Sequence, residues 1–574
     1  MTQNSLKSNH PGFQPFSNTA PLTPMSLGKL LERIDHEWHS RKRVFDLPTA
    51  RFWQPDPAVD LGFEFLGRPC ATPIGPAAGP HSQLAENIVL SWLGGARLFE
   101  LKTVQILDEL EIQRPCIDMQ TIGYNIEWSQ ELLVEQSLTE YVKAWMLIHI
   151  LSKWEPLTEF IGTDPGPFVF DMSVGYDLAG ISDPKVAGFI RGMKDASHEI
   201  ERLRPELTGP WAQFADLDFP AQIADTLTLS TFHGCPPDEI EGITKHLIDE
   251  HGLDVIVKLN PTLLGFETVA EIVNTELGYA DVSVKESAFA EDLQFERGTE
   301  LINELNTYAA ERGHRFGIKL TNTLVVNNTK GWMPEETMYL SGPPLHVVAM
   351  TLLARLKPHL PAEVMVSFSA GITKDNLVDS LAVGVNPATV CSDLLKPGGY
   401  GRLAPMLKKL TTTVAEAGFA SLAEWKASTP LSAQEYSDRI RSNGDYHLHA
   451  NEKLPREVDH TLETFGCVAC NFCITVCPND AFFNIASPQD HIEGRQQYFV
   501  LAELCNECGN CMTFCPEDGD PAQIKPKLYT DAAVFADRDD QGFLIANGTI
   551  VDSRSNEADV AIVAELLESG SPLS

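Results

Sequence analysis

Short apolar runs alternate with longer amphipathic stretches from about residue 60 to residue 415. Each run suits a buried strand and each intervening stretch suits a helix, so the pattern predicts parallel βα units. A span of this length accommodates a (β/α)8 barrel with insertions. Nine runs compete for the eight places in such a barrel, and we expect 280–286 to belong to an insertion. The nine runs are 71–79, 98–104, 168–175, 226–230, 255–261, 280–286, 316–323, 364–371 and 388–395.

Two cysteine runs with identical spacing lie near the end of the chain, and each is followed by proline. Three closely spaced thiolates can reach three irons of one [4Fe–4S] cube, while the fourth ligates the other cube. Zinc knuckles or disulfides would not explain two complete runs of four. The spacing therefore predicts two [4Fe–4S] clusters, one held by Cys467, Cys470, Cys473 and Cys515 and the other by Cys505, Cys508, Cys511 and Cys477.

These two patterns divide the chain into five segments. Residues 1–25 are rich in Ser, Asn and Pro, so we expect them to be disordered. The barrel is predicted over 26–415, with a helix at 27–38 that caps it, and a helical connector over 416–460. We expect a small α+β domain of the two-cluster ferredoxin type over 461–525. The acidic tail, 526–574, is predicted to form a short hairpin and then a helix near 559–567.

Composition excludes several classes of partner. The 574 residues are 43% hydrophobic, enough for a large core, and carry a net charge of −36. That charge repels nucleic acid and anionic membranes, and it favours a partner protein with a basic surface. The first residues contain no apolar signal core, and no apolar stretch is long enough to span a bilayer. The four other cysteines are scattered and suggest no disulfide framework, so we expect a cytoplasmic protein.

Several predicted strands end in residues that suit a flavin. Catalytic groups of these barrels lie at the carboxyl ends of the strands. Ala78 and Gly79 are small enough for a flat ring or a phosphate to approach the backbone. Lys102 leaves the second strand, and Lys258 and Lys319 occupy similar positions on later strands, where a buried ammonium needs an acceptor. Together with clusters that accept single electrons, these strand ends predict FMN.

The barrel motifs resemble the dihydroorotate dehydrogenase type of flavin barrel, in the form joined to two clusters in dihydropyrimidine dehydrogenase. The resembling segments are PIGPAAGP, ELKTV, YNIE, TNT, SAGI and VCS. The resemblance implies that FMN contacts the backbone and side chains of these segments. It implies a substrate-side role for Asn125, Asn322 and Thr323 as well. The implied cofactor residues are Ala78, Gly79, Lys102, Thr103, Asn125, Lys258, Asn322, Thr323, Gly371 and Ser392.

A second resemblance, to the selenate reductase subunit family, covers nearly the whole chain through CATPIGPAAGPHSQLAENIV, HGCPPDEIE, DLLKPGGYGRL and CNECGNC. Longer members of that family carry an FAD/NAD-binding module between barrel and clusters, where this chain has a short connector. No GxGxxG follows a predicted strand, so we expect no nicotinamide site in this chain.

The candidate proton donor is Cys235, which matches the Cys-Pro of the dihydropyrimidine dehydrogenase pattern. The asparagine of that pattern is missing, and the loop that follows is shorter. A buried thiol stays protonated at neutral pH and could protonate a substrate carbon. His233 is the second catalytic candidate and Asn125 the third, although Cys235 and His233 could also be packing residues. Lys258 and Lys319 both fit the flavin lysine, and Lys258 is preferred.

The sequence therefore supports an oxidoreductase subunit in which FMN acts on a small planar substrate, such as a pyrimidine- or purine-like N-heterocycle. Electrons would pass through both clusters to or from a flavoprotein, a ferredoxin or a molybdenum enzyme. The alternative is an electron-transfer adaptor that has no substrate of its own. A glutamate-synthase-like barrel is less consistent, because its single three-iron cluster does not match two four-cysteine runs.

Overall fold

The computed structural model describes residues 22–570 except 109, 111, 127, 128, 163, 232, 330, 332 and 488–493. The predicted N-terminal disorder falls mainly on residues 1–21, which lie outside this range. Leu22 and Met25, which the sequence analysis placed in the same segment, are buried in the core. The helix Leu27–Arg41 follows, and its first turn is capped by the hydroxyl of Ser26, which accepts from the Lys29 N–H.

Eight parallel strands form the barrel, and all eight were predicted. Their spatial order is β1-β8-β7-β6-β5-β4-β3-β2. Between β1 and β2, the Arg97 N–H donates to the Ile74 carbonyl at 3.1 Å. The strands are β1 (Ile74–Pro76), β2 (Leu98–Glu100), β3 (Val169–Val174), β4 (Thr226–Ser230), β5 (Asp254–Leu259), β6 (Phe316–Leu320), β7 (Met365–Phe368) and β8 (Ala388–Val390).

One helix after each strand covers the barrel, as the βα pattern requires. The strand residues are almost entirely buried because helices cover the outside and side chains fill the inside. The covering helices are Ala85–Leu93, Val134–Leu151, Pro184–Lys194, Pro237–His251, Phe295–Glu311, Pro343–Leu356, Leu377–Ala382 and Leu403–Glu416. Shorter helices in this region are Glu155–Ile161, Leu178–Ile181, Ser197–Leu203, Phe266–Ala270 and Glu286–Glu291.

A second, antiparallel sheet stands at the carboxyl ends of the barrel strands, and we call it the lid sheet. Its strands come from insertions after β2, β5 and β6. The run 280–286 contributes one of them, so its expected place outside the barrel is confirmed. The lid-sheet strands are Ile117–Asp118, Gly123–Asn125, Ser283–Val284, Leu324–Asn327 and Thr337–Ser341.

The connector region holds the helices Leu422–Ser428, Ala433–Ser442 and Leu448–Asn451. Its middle helix packs on the barrel helix Pro343–Leu356. The Tyr436 hydroxyl lies 3.0 Å from Nε2 of His346, and the hydroxyls of Thr351 and Ser437 are 2.9 Å apart. Buried contacts of this kind hold the connector against the barrel.

The cysteine-rich region and the acidic tail share one mixed sheet. The strands are β9 (Phe482–Ala486), β10 (Gln496–Leu501), β11 (Lys527–Tyr529), β12 (Phe543–Ala546) and β13 (Thr549–Ser553). The predicted hairpin is β12 and β13, and the predicted helix lies within Glu557–Gly570. The remaining helices are Phe472–Val476, Asn510–Phe514, Pro521–Ile524 and Ala532–Asp537. Over the described part of the chain, no helix combines the length and apolarity that a membrane span requires.

Candidate active site and cluster sites

A cavity of about 670 Å³ opens at the carboxyl ends of the barrel strands, beneath the lid sheet. Its lining includes ends of most barrel strands and Asn125 and Tyr339 of the lid sheet. This volume falls within the usual range for cofactor and small-ligand sites. All ten residues that the sequence assigned to the cofactor line it: Ala78, Gly79, Lys102, Thr103, Asn125, Lys258, Asn322, Thr323, Gly371 and Ser392.

A buried charge cluster forms the base of this cavity. Lys258 and Lys319 are register partners on β5 and β6. Nζ of Lys319 lies 2.5 Å from Oε2 of Glu100 on β2, and Nζ of Lys258 lies 3.8 Å from Oε1. Burial would raise the pKa of Glu100, but Lys319 and Lys258 outweigh it and lower that pKa. Burial also lowers the pKa of Lys258, while Glu100 opposes that shift.

The same cluster distinguishes the two lysines that the sequence could not separate. Lys319 is 1% exposed, and its ammonium also donates to the Thr389 hydroxyl at 2.8 Å. It therefore lies in the barrel interior, tied to Glu100. Lys258 lines the cavity and is the lysine available to a ligand there.

His233 also lines the cavity, and its ring contacts a buried carboxylate. Nδ1 of His233 lies 2.8 Å from Oδ2 of Asp292. The Thr262 hydroxyl donates to the same oxygen at 2.6 Å, and the Gly234 N–H donates to Oδ1. Although burial raises the pKa of Asp292, these hydrogen bonds and the charge of His233 lower it overall. Asp292 is therefore a carboxylate at neutral pH, and its bond to Nδ1 leaves Nε2 as the second ring nitrogen.

The polar network extends from Asp292 to a predicted cofactor residue. The Asn260 amide donates to Asp292 at 3.3 Å and accepts from the Asn322 amide at 2.7 Å. On its other face, the ring of His233 stacks on Tyr339 of the lid sheet, with centroids 6.1 Å apart. Sequence reasoning missed Asp292, Asn260 and Tyr339 as site residues. Asn260 had a signal, since it directly follows β5, the strand that carries Lys258.

Cys235, predicted as the proton donor, occupies a different space. It lines a small neighbouring gap with Asp292, and Thr231 separates this gap from the main cavity by lining both. Burial raises the pKa of the Cys235 thiol to about 12, and Glu239 and Asp292 add to the shift. The thiol is therefore protonated, as expected, and its role as the proton donor stays a prediction.

The eight cluster cysteines gather into the two predicted sets of four. Cys467, Cys470, Cys473 and Cys515, the first thiol set, line one small cavity. The second thiol set is Cys477, Cys505, Cys508 and Cys511. Burial raises the pKa of Cys511, Asp520 raises it further, and Cys508, Cys505 and Cys477 lie close enough to add to the shift. Within the described residues, no three His, Cys, Asp or Glu side chains converge as ligands of a single metal ion. The first set instead surrounds a void, which is compatible with a larger cluster.

The cavity residues are compatible with FMN. Ala77, Ala78 and Gly79 give one wall without bulky side chains, and Lys258 supplies a cation. Gly371 and Ser392 follow β7 and β8, where barrels of this type bind phosphate. Gly371 has φ +56°, and a Cβ there would lie 2.3 Å from the Gly342 carbonyl oxygen. Glycine at this position is therefore required for the loop after β7 to pass beneath the lid sheet.

A TIM barrel with a cavity at its carboxyl mouth, followed by two four-thiol sets, defines a barrel-plus-dicluster oxidoreductase. Residues 45–440 match the family model described as the N-terminal TIM-barrel domain of oxidoreductase YgfK. Residues 466–518 match the 4Fe-4S dicluster domain. The chain therefore belongs to the YgfK oxidoreductase family. These matches confirm the predicted barrel and two-cluster domain, and the narrower assignment to a selenate reductase subunit stays a prediction.

The YgfK proteins of Escherichia coli strains K12 and O157:H7 are each 39% identical to this chain over 414 residues. The match covers 68% of this chain and 39% of each relative, so the chain spans about two fifths of their length. Among solved structures, the ligand-free DHODH of Eimeria tenella has a TM-score of 0.42 and 16% identity, covering 68% of this chain and 96% of that one. The same enzyme with ferulenol has a TM-score of 0.41 and 15% identity, covering 67% and 88%.

Proposed function

We propose that the chain is an FMN-dependent oxidoreductase that acts on a small planar N-heterocycle and exchanges electrons with a partner through two [4Fe–4S] clusters. One observation carries the proposal: the cavity brings Lys258, His233 and Asn322 together beneath the lid sheet. When bound, FMN would supply hydride chemistry and the conversion of electron pairs into single electrons.

The cavity's own residues would bind and orient both molecules. Lys258 and Lys102 supply positive charge for an electron-rich ring edge. The amide of Asn322 is fixed by the Thr231 carbonyl at 2.9 Å and by Asn260 at 2.7 Å. These bonds use both N–H groups of Asn322, so its amide oxygen is left to accept from an N–H group of a heterocycle, and Asn125 offers a second amide from the lid sheet. Tyr339 and the lid sheet would exclude water from the ring.

Proton transfer is assigned to His233. Its ring lines the cavity, and Asp292 fixes its orientation through Nδ1. Nε2 is therefore the atom that would give a proton to the substrate or take one from it. Cys235 was the first candidate from the sequence, but its thiol lies in the neighbouring gap.

The test begins with protein purified without oxygen. We expect about eight iron, about eight sulfide and one FMN per chain. Dihydropyrimidines, pyrimidines and purines are then titrated while the flavin absorbance is followed. Bleaching or reoxidation by any of them supports the proposal. A flavin that exchanges electrons only with a protein partner would favour the adaptor alternative, and protein that binds no flavin would contradict the flavin-dependent enzyme.

A further inference from the structure

The second thiol set lies directly against the barrel mouth. The Cys508 carbonyl accepts two hydrogen bonds, from the N–H groups of Cys116 and Ile117, both at 3.0 Å. Ile117 belongs to the lid sheet and lines the cavity. One residue further, Gly509 has φ +87°, and a Cβ there would lie 2.4 Å from Cβ of Pro115. The loop that carries Cys508 is thus in backbone contact with the cavity wall.

Two further hydrogen bonds hold the same set from the other side. The Asn510 amide is buried and donates to the Leu395 carbonyl at 2.9 Å and to the Val476 carbonyl at 2.8 Å. Leu395 lines the cavity as well. The buried Tyr400 hydroxyl donates at 2.7 Å to the carbonyl of Pro478, the residue after Cys477. The loops of the second thiol set therefore make direct hydrogen bonds to residues that line the cavity.

The first thiol set lies on the outer side of the module. In this set Cys470 is exposed, Cys467 and Cys473 are partly exposed and Cys515 is buried, whereas in the second set Cys505, Cys508 and Cys511 are buried and only Cys477 is partly exposed. Val468, between Cys467 and Cys470, is 44% exposed and is a rare large apolar side chain at the surface. Val468 therefore adds apolar area at the surface directly beside the exposed Cys470.

Acidic residues border this outer face. The Val458 N–H donates to the Pro516 carbonyl at 2.8 Å, and the Leu462 N–H donates to the Asp518 carbonyl at 2.9 Å. These bonds place residues 458–463 beside Cys515, and the exposed Asp459 and Glu463 lie on that segment. With a net charge of −36 for the whole chain, the face favours a partner with a basic surface.

We propose that electrons pass from the cavity to a partner protein in one order, through the cluster of the second thiol set and then through the cluster of the first thiol set. The partner is a basic one-electron redox protein that docks over Val468 and Cys470. This order rests on the proposed function. Each substrate molecule oxidised yields two electrons and two protons. The electrons leave singly and reduce two partner molecules, and the protons leave through His233 or to water. Reduction of the substrate follows the same order in reverse.

The first experiment measures which cluster is exposed. The dithionite-reduced protein is examined by EPR with and without a dysprosium chelate, which broadens signals near the surface. Cys470→Ser and Cys508→Ser assign the signals. We expect the chelate to affect the signal altered by Cys470→Ser. If a variant loses one cluster, only the signal of the other cluster remains. The broadening of that remaining signal by the chelate then shows whether its cluster is near the surface. A stronger effect on the signal altered by Cys508→Ser would overturn the order.

The second experiment tests the docking face with a matched pair of variants. Cytochrome c, a basic one-electron acceptor, is the probe, and its reduction by the pre-reduced protein is followed by stopped flow. Val468→Lys should lower the second-order rate constant several-fold. Val551→Lys adds the same charge at a valine that is 57% exposed on β13, and it should change the rate little. Equal effects of the two variants would overturn the docking face. Neither experiment needs FMN or substrate, so its outcome is separate from that of the proposed function.

Discussion

Asp292 and His233 act as one unit, although 59 residues separate them in sequence. The carboxylate accepts from three donors besides the ring, so it is held in one orientation. A fixed carboxylate behind Nδ1 fixes both the tautomer and the direction of a histidine. This pair presents a fixed imidazole to the cavity, and its proposed role in proton transfer can be tested against that of Cys235.

Replacing His233 should separate its role from that of Cys235. We expect His233→Gln to slow substrate-driven flavin bleaching by about 10²-fold or more, the usual contribution of a general acid. Flavin content should be unchanged, because the lysines and the strand-end loops remain. Cys235→Ala is the control and should lose far less rate. If Cys235→Ala is the slower of the two, the proton passes through the thiol.

Asp171 should make the stability of the barrel depend on pH. It is buried on β3 and accepts from the Thr226 hydroxyl at 2.7 Å and the Thr228 hydroxyl at 2.6 Å. Burial raises its pKa to about 7. The folded state therefore holds a proton that the unfolded chain releases near pH 4, so this group makes stability fall as pH rises from about 4 to 7.

Asp171→Asn should remove that pH dependence. Between about pH 4.5 and about pH 7.5, the unfolding free energy of the variant relative to wild type should rise by a few kcal/mol, because only the wild type loses this contribution. Denaturant unfolding at both pH values measures it. A constant difference between the two proteins would show that Asp171 does not titrate in this range.

At the scale of elements, the lid sheet determines the shape of the cavity, and Gly371 determines how closely the barrel approaches it. A Cβ at Gly371 would also lie 3.0 Å from Cβ of His346. Neither the Gly342 carbonyl nor His346 can move easily, since Nδ1 of His346 is fixed at 2.8 Å from the Ala370 carbonyl. The loop after β7 thus tolerates no side chain at this point.

Gly371→Ala should lower the flavin content and the melting temperature while leaving the iron content unchanged. Gly313→Ala is the matched control, because Gly313 has φ +77° and no atom within 4 Å of its Cβ position. Both variants pay the left-handed backbone cost of about 1–2 kcal/mol. The additional loss of melting temperature and flavin content in Gly371→Ala, relative to Gly313→Ala, measures the effect of the clash. Equal melting temperatures and equal flavin contents would contradict this account of the loop.

The barrel was predictable because its strands are short, largely buried runs that end in unusual polar or small residues. The cluster cysteines were predictable because iron–sulfur chemistry fixes their spacing. The lid sheet was not, since its strands are two to five residues long and come from three separate insertions. Asp292 lies in a loop between two helices, where an acidic residue carries no sequence signal. Which of Lys258 and Lys319 meets the cavity depended on Glu100, a long-range contact.

At the scale of the whole molecule, the N-terminal helix ties the barrel to the cluster module. Nη1 of Arg33 lies 2.8 Å from Oδ2 of Asp480, three residues after Cys477. The Arg41 guanidinium donates to the Asn484 carbonyl on β9 at 2.7 Å. Arg33 is nearly inaccessible, so this contact is protected from salt. The barrel and module should therefore keep their relative position as ionic strength rises.

Docking of a partner, in contrast, should weaken as ionic strength rises. With a net charge of −36, attraction to a basic partner acts over about 10 Å at 0.1 M salt and is screened beyond that. Because no nicotinamide fingerprint follows a strand, NADH or NADPH alone should not bleach the clusters of the pure chain. Bleaching should appear when a flavoprotein, ferredoxin or molybdenum-enzyme partner is added, and its rate should fall several-fold between low and 0.5 M salt. Rapid anaerobic bleaching by NADH alone would reveal a nicotinamide site in this chain, and a salt-independent rate with the partner would show that charge does not guide docking.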